Sequence, residues 1–160
     1  MTKRVFPQRR DGATGEFNIA LLRRCGRNFQ MNAGQIFGRG ISFPPRVGPD
    51  GRVSWSEGEA NVRESIRVIL MTEQPERLRT PKFGGSLGRF LFEPNTVSTR
   101  RSIQERITRE LAQWEPRIRV ESVNVDPDPS DPQAAIATIT YKLVATQAVE
   151  RVSVGVSLGA

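Results

Sequence analysis

The spacing of hydrophobic residues in this 160-residue chain changes at Pro116, and that change constrains the fold more than any other feature. Before it, Ile103, Ile107 and Leu111 recur at the interval that places them on one face of a helix. Proline ends such a helix, since it lacks a backbone N–H. Beyond Pro116 apolar and polar residues alternate, as in strands with one buried face. Helices followed by strands predict an α+β domain.

Two helices and a connector are predicted before this change. The first helix covers about residues 57–72 and follows a hairpin around Asp50-Gly51. Its apolar stripe consists of Val62, Ile66, Ile69 and Leu70. The second helix runs from Thr96 or Ser98 to Trp114. The connector, residues 73–97, is too apolar for a free loop, so we expect part of it to pack on the body. The residues that we expect to make these contacts are Phe83, Leu87, Phe90 and Phe92.

Three strands are predicted after Pro116, over residues 118–125, 134–145 and 149–158. In the first, Ile118 and Val120 are out of phase with Val123 and Val125, which indicates a β-bulge. The predicted architecture is therefore two main helices packed on a small, mostly antiparallel sheet. In the last strand an apolar set, Val152, Val154, Val156 and Leu158, alternates with Arg151, Ser153, Gly155 and Ser157.

The positive charge of the chain is concentrated in its N-terminal part. The net charge is +7; residues 1–40 carry +6 and the other 120 residues carry +1. Since residues 1–37 also lack a hydrophobic period, we divide the chain into a basic N-terminal arm, 1–37, and a globular domain, 38–160. The arm is a solvated tail, a nucleic-acid-binding segment or a docking segment for acidic grooves of neighbouring proteins. Docking is favoured because the aromatic residues form no stacking pattern. The expected docking residues are Phe6, Arg9, Arg10, Phe17, Arg23 and Arg24.

Composition excludes most enzymatic chemistry. Without histidine there is no Ser-His-Asp or Cys-His nucleophile, and one cysteine allows neither an internal disulfide nor an ordinary zinc site. We expect no cofactor, no metal, no secretory signal, no membrane insertion and synthesis in the cytoplasm. A carboxylate pair remains possible, with Glu115 as general acid and Asp126 or Glu93 as its partner. Arg117, two residues after Glu115, would lower the pKa of that carboxyl, so we do not expect an enzyme.

Several short motifs occur in an order that resembles a known family. They are Phe43-Pro44, Asp50-Gly51, Val62–Ile66, Pro81-x-Phe83-Gly84, Phe92-x-Pro94 and Trp114-Glu115-Pro116-Arg117-Ile118. This order resembles the baseplate wedge family of contractile phage tails, which includes the sheath initiator of type VI secretion and related injection systems. Glu115-Pro116-Arg117 matches the hallmark of that family. The resemblance covers about residues 40–158. The basic arm and Gln74-Pro75-Glu76-Arg77, where relatives more often carry Gly-Glu-Arg, depart from the pattern.

The resemblance implies a structural protein of a baseplate with six-fold symmetry. Its partners would be the sheath protein, other wedge proteins and the hub or spike. Glu115, Pro116 and Arg117 would then form an exposed charged knuckle that contacts a partner protein, rather than only a solvated helix end. Because relatives have been labelled lysozyme-like, peptidoglycan hydrolysis is one alternative function; a basic nucleic-acid-binding protein is the other.

The resemblance also gives the last strand a function beyond that of an ordinary sheet member. An edge strand offers unpaired N–H and C=O groups to another chain. We expect the terminal strand to start sheath polymerisation in this way. The binding residues would be Val152, Ser153, Val154, Gly155 and Val156.

Overall fold

Two long helices and a three-stranded sheet surround the hydrophobic core, in the order that the periodicity predicts. The computed structural model describes residues 33–159. The predicted docking residues of the arm, from Phe6 to Arg24, lie outside this range. The elements are α1 (Ala33–Phe37), β1 (Arg39–Ile41), β2 (Trp55–Glu57), α2 (Gly58–Met71), a 3₁₀ helix (Leu87–Phe92), α3 (Val97–Trp114), β3 (Ile118–Pro127), β4 (Ala134–Leu143) and β5 (Val149–Ser157).

Helix α3 begins and ends where local chemistry predicts. The Thr96 side chain accepts a hydrogen bond from the Thr99 N–H at 3.2 Å, which caps the first turn of α3. At the other end, α3 stops at Trp114, two residues before Pro116. The apolar stripes of α2 and α3 are buried and lie in one core with the inward residues of the sheet. The expected α+β class is therefore confirmed.

The sheet is antiparallel in the order β3-β4-β5, with β4 in the centre. Residues of β4 alternate between fully buried and half-buried, because helices cover only one face. The register between β3 and β4 shifts between Val120 and Ser122, which confirms the predicted bulge. In the described range, β3 and β5 are the two edge strands of this sheet.

The connector packs on the body as predicted, apart from Phe92. Leu87 and Phe90 are buried, and Phe83 contacts Trp114 edge to face with the ring centroids 5.2 Å apart. Phe92 is 88% exposed, so the expectation that it packs on the body is wrong. A 3₁₀ helix has three residues per turn, which places Leu87 and Phe90 on its inner side and turns Phe92 outward.

The folded body includes residues that we had assigned to the N-terminal arm. Helix α1 packs on α2, and Phe37 is only 5% exposed within the core. Residues 33–37 therefore belong to the packed structure, although the sequence analysis placed them before the domain boundary. Their short apolar pattern, Ile36-Phe37 between glycines, was too brief to show a period.

Candidate interaction surfaces

The outer edge of β5 carries a continuous set of backbone hydrogen-bonding groups. The Leu143 N–H donates to the Ala148 carbonyl at 2.9 Å, and the Leu158 N–H donates to the Gln133 carbonyl at 2.7 Å. These bonds extend the β4–β5 ladder and show that even-numbered residues of β5 direct their backbone groups toward β4. The odd-numbered residues from 149 to 157 therefore point theirs outward. Within the described range no other strand pairs with that edge.

Side chains on β5 follow the same alternation. Val152 and Val156 are buried and Val154 is half-buried, all on the helix side, whereas Ser153 and Gly155 are exposed. The predicted division between an apolar inner face and a polar outer face is confirmed. Ser153 and Gly155 also belong to the residues whose N–H groups point to the free edge.

The opposite edge of the sheet, along β3, is poorly suited to pairing. Its bulge after Val120 interrupts the spacing of outward groups. The Asp128 N–H donates to the Ala134 carbonyl at 3.0 Å, so beyond the bulge the even-numbered residues direct their backbone groups toward β4. Pro127 therefore directs its backbone groups toward the outer edge. Proline has no N–H to offer a new strand. A bulge and an edge proline are devices that prevent strand addition, and β5 has neither.

The end of the β5 edge is already paired with the chain itself. The Gly159 N–H donates to the Glu93 carbonyl at 2.9 Å, and Pro94 lies beside Gly159 in a parallel bridge. A Cβ at Gly159 would lie 2.8 Å from the Phe92 carbonyl carbon, so this close approach requires glycine. The backbone of residues 93–94 therefore closes the edge beyond Ser157.

The Glu115-Pro116-Arg117 segment is not the exposed knuckle that the sequence analysis predicted. Glu115 is 2% exposed, and its two carboxylate oxygens accept hydrogen bonds from Arg117 Nε and Nη2, both at 2.6 Å. Arg117 Nη1 donates to the Phe37 carbonyl at 2.6 Å and to Asn61 Oδ1 at 2.8 Å. The pair thus joins α1, α2 and the start of β3. The expectation of an exposed ion pair is wrong, because this helix end turns into the core.

The carboxyl of Glu115 is held in its charged form. Burial alone would raise its pKa, but hydrogen bonds from Arg117 and Ser65, together with the charge of Arg117, hold the pKa below its ordinary value. What remains open to solvent in this segment is Pro116 and part of Arg117. They border a groove with Ile36, Phe37 and Val144.

The hairpin β1–β2 presents its large apolar side chains to solvent, which the sequence analysis missed. Ile41 and Trp55 are register partners and both are more than half exposed, while Ser56 on the other face is buried. Arg39 lies 4.7 Å from the centre of the Trp55 ring and pairs with Glu57 at 2.8 Å. The alternation of small serines with large residues along 53–56 was the available signal.

Comparison with known proteins assigns the family. The model of the family described as "Baseplate wedge protein gp25" matches residues 56–148, which include α2, α3, β3 and β4. The chain belongs to this baseplate wedge family. As a member, it is a structural component of a baseplate, in a phage tail or a related contractile injection particle. A search among curated proteins found no match.

Solved structures include similar chains. One from the baseplate of the anti-feeding prophage, six-fold symmetrised, is 36% identical, has a TM-score of 0.62, and is matched over 66% of this chain and 85% of that one. A Geobacter sulfurreducens protein, provisionally named a tail lysozyme, is 28% identical with a TM-score of 0.60, over 66% and 95%. A chain of the type VI secretion baseplate complex is 14% identical with a TM-score of 0.48, over 62% and 93%.

The carboxylates considered for hydrolysis lie far apart. Glu115 precedes β3 and Asp126 is near its far end, which at about 3.3 Å per residue separates them by roughly 25 Å. Glu93 and Glu115 flank α3, whose 18 residues span about 27 Å. A glycosidase needs its two carboxyl groups within about 10 Å. Neither proposed pair can perform that reaction.

Within residues 33–159, acidic side chains form no cluster of three or more that could bind a metal ion. No helix there has the length and hydropathy needed to cross a membrane.

Proposed function

We propose that this baseplate component starts sheath polymerisation by accepting an extended strand from the first sheath ring on the free edge of β5. The observation that carries the proposal is the difference between the two sheet edges. The β5 edge is regular and open from Val149 to Ser157, whereas the β3 edge has a bulge and ends in Pro127. Edges without such protection are templates for strand addition.

Strand addition at this edge would also fix the position of the first ring. Side chains of a strand alternate with a period of two, so a shift by one residue reverses every side chain of the added strand. The segment Glu93–Pro94 lies beside Gly159, in the position next to β5 that an added strand would take, and would stop the added strand there. A defined stop sets the height at which the sheath begins.

The remaining partners would contact other surfaces. Other wedge proteins and the hub or spike would bind the apolar hairpin face around Trp55 and the exposed part of Pro116 and Arg117. The arm residues Phe6, Arg9, Arg10, Phe17, Arg23 and Arg24 would dock on an acidic neighbour. The six-fold baseplate of the anti-feeding prophage, which contains a similar chain, supports a six-fold arrangement. The protein would be made in the cytoplasm and then incorporated into the baseplate.

The role that we propose is structural and not catalytic. A general acid of a glycosidase needs a raised pKa, and the pKa of Glu115 is lowered. The separation of Glu115 from both candidate partners also disfavours the lysozyme-like alternative. A nucleic-acid partner is disfavoured because residues 41–160 carry a net charge of only +1.

Proline substitution on the β5 edge tests the proposal. Ser153→Pro and Gly155→Pro each remove one outward N–H while leaving the β4–β5 ladder in place. We expect both variants to fold and enter baseplates, and at least one to give baseplates without sheaths in electron micrographs. The matched controls are Ser153→Ala and Gly155→Ala, since a Cβ at Gly155 meets no atom within 4 Å. Full-length sheaths in both proline variants would show that polymerisation starts elsewhere.

A further inference from the structure

A groove runs beside the free edge of β5, on the side of the sheet that the helices cover. It is bounded by Leu70 and Met71 from α2, by Leu87 and Leu91 from the 3₁₀ helix, and by Val154 and Val156 from β5. Its volume is about 250 Å³. Met71 is 64% exposed and Leu91 is 43% exposed, so the groove presents apolar surface that the described part of the chain leaves uncovered.

The direction of the β5 backbone determines what can lie over this groove. An added strand would place the residues opposite Val154 and Val156 on the same face of the sheet as those valines. Their side chains would project between the end of α2 and the 3₁₀ helix. A short extended segment of the chain itself already lies along this edge, since Glu93 and Pro94 lie beside Gly159. An extended backbone is therefore the occupant that fits both the edge and the groove.

One charged residue lines the groove among the described residues. Glu73 Oε1 accepts a hydrogen bond from the Gly88 N–H at 2.8 Å, which fixes its carboxylate at the rim. A Cβ at Gly88 would lie 2.8 Å from that same oxygen, so glycine at this position lets the carboxylate approach the backbone. A carboxylate beside an apolar surface disfavours acidic side chains in an incoming strand by repulsion and desolvation.

We infer that this groove selects the incoming sheath strand by its side chains. The occupant is an extended segment of the sheath subunit with apolar, non-acidic residues opposite Val154 and Val156. This inference rests on the proposed strand addition and adds specificity to it: the backbone edge binds any extended chain, and the groove chooses the sequence and its register. An acidic or strongly polar residue at those two positions weakens binding, and the same residue on the outward face does not.

Affinity measurements with the purified sheath subunit of the same machine test the inference. The protein variants are Met71→Lys and Leu91→Lys, each of which removes apolar surface from the groove without touching the β5 backbone. Lysine suits position 71, because a positive charge is favourable at the end of a helix. The matched control is Leu78→Lys, since Leu78 is 99% exposed and lies outside the groove. Thermal unfolding by circular dichroism verifies that each variant is folded.

The expected result is a loss of about 10-fold to 100-fold in affinity for Met71→Lys or Leu91→Lys, the range for one apolar side chain left unburied. Leu78→Lys binds as wild type, and at least one of Ser153→Pro and Gly155→Pro abolishes binding. If a proline variant abolishes binding while both groove variants match Leu78→Lys, strand addition stands and the groove inference is overturned. If both proline variants bind as wild type, strand addition itself fails, and the inference fails with it.

An aspartate scan of the sheath segment provides a second readout. Single aspartates placed along the segment should weaken binding at alternate positions only, strongest opposite Val154 and Val156. A scan without a two-residue alternation, or with the losses on the outward face, would contradict selection by the groove.

Discussion

At the residue scale, Glu115 and Arg117 form a charged pair that the sequence suggests is exposed, but that stabilises the core. A bidentate pair satisfies the buried carboxylate, and the third nitrogen of Arg117 holds the Phe37 carbonyl and Asn61. Removing one partner of a buried pair leaves the other charge uncompensated, which costs about 3–5 kcal/mol. We therefore expect Arg117→Ala to lower the free energy of unfolding by that amount in urea denaturation. Arg119→Ala, an exposed neighbour on β3, should change it little. Equal effects of the two substitutions would show that the pair does not support the fold.

The lowered pKa of Glu115 gives the same pair a defined pH dependence. Because the charged form is favoured in the folded state, its contribution is present above the ordinary carboxyl pKa of 4.5 and is lost as pH falls through the lower folded value. The difference in unfolding free energy between wild type and Glu115→Gln should thus be constant near neutral pH and shrink below about pH 4.5. A difference that stays unchanged into strong acid would contradict this origin.

Tyr141 is the only tyrosine of the chain and reports on the core directly. It is fully buried, and burial together with the charge of Glu150 raises its pKa to about 12. Ultraviolet titration of the phenolate should therefore show a midpoint near pH 12 in the folded protein and near 10 in urea. Since the folded state favours the neutral phenol, stability is complete below about pH 10 and falls as pH rises toward 12. Tyr141→Phe should lose the titration and this part of the alkaline instability; a folded midpoint near 10 would mean that Tyr141 is hydrated.

At the scale of elements, most of the fold could be predicted because its signals are local. The stripe from Val62 to Leu70 predicted α2, and Pro116 predicted the end of α3. The phase change between Val120 and Val123 predicted the bulge, since a strand has a strict period of two. Each of these inferences needs only a few neighbouring residues. The alternation in β5 predicted its buried and exposed faces, whereas its position at the sheet edge is known only from the structure.

The interaction surfaces could be predicted only in part, because several depend on residues far apart in sequence. Arg117 meets Asn61 from 56 residues away and Phe37 from 80, and no local pattern signals such pairs. The groove beside β5 likewise joins Met71, Leu91 and Val154 from three elements. The wrong prediction for Phe92 has a different cause, since a six-residue 3₁₀ helix is too short for its sequence to show which side faces inward.

At the scale of the whole molecule, the boundary between arm and body decides which part of the chain supports the fold. Phe37 is buried in the core, and its carbonyl accepts a hydrogen bond from Arg117. The first 30 residues carry most of the net charge and show no hydrophobic period. Phe37 therefore belongs to the folded body, and we expect that body to begin between residue 30 and Phe37. A pair of truncations on either side of that interval can locate it.

We expect deletion of residues 2–30 to leave the melting temperature nearly unchanged, within about 2 °C. Deletion of residues 2–38 also removes Phe37, and losing a buried phenylalanine costs about 3–5 kcal/mol. For a domain of this size each kcal/mol lowers the melting temperature by about 2–8 °C, so the longer deletion should lower it by at least about 6 °C or prevent folding. Replacing Phe37 by alanine in the full-length chain separates loss of the side chain from loss of the segment. Differential scanning calorimetry of the three variants decides between the boundaries: a large loss in the shorter deletion would place the arm within the fold, and no loss in the longer one would exclude α1 from it.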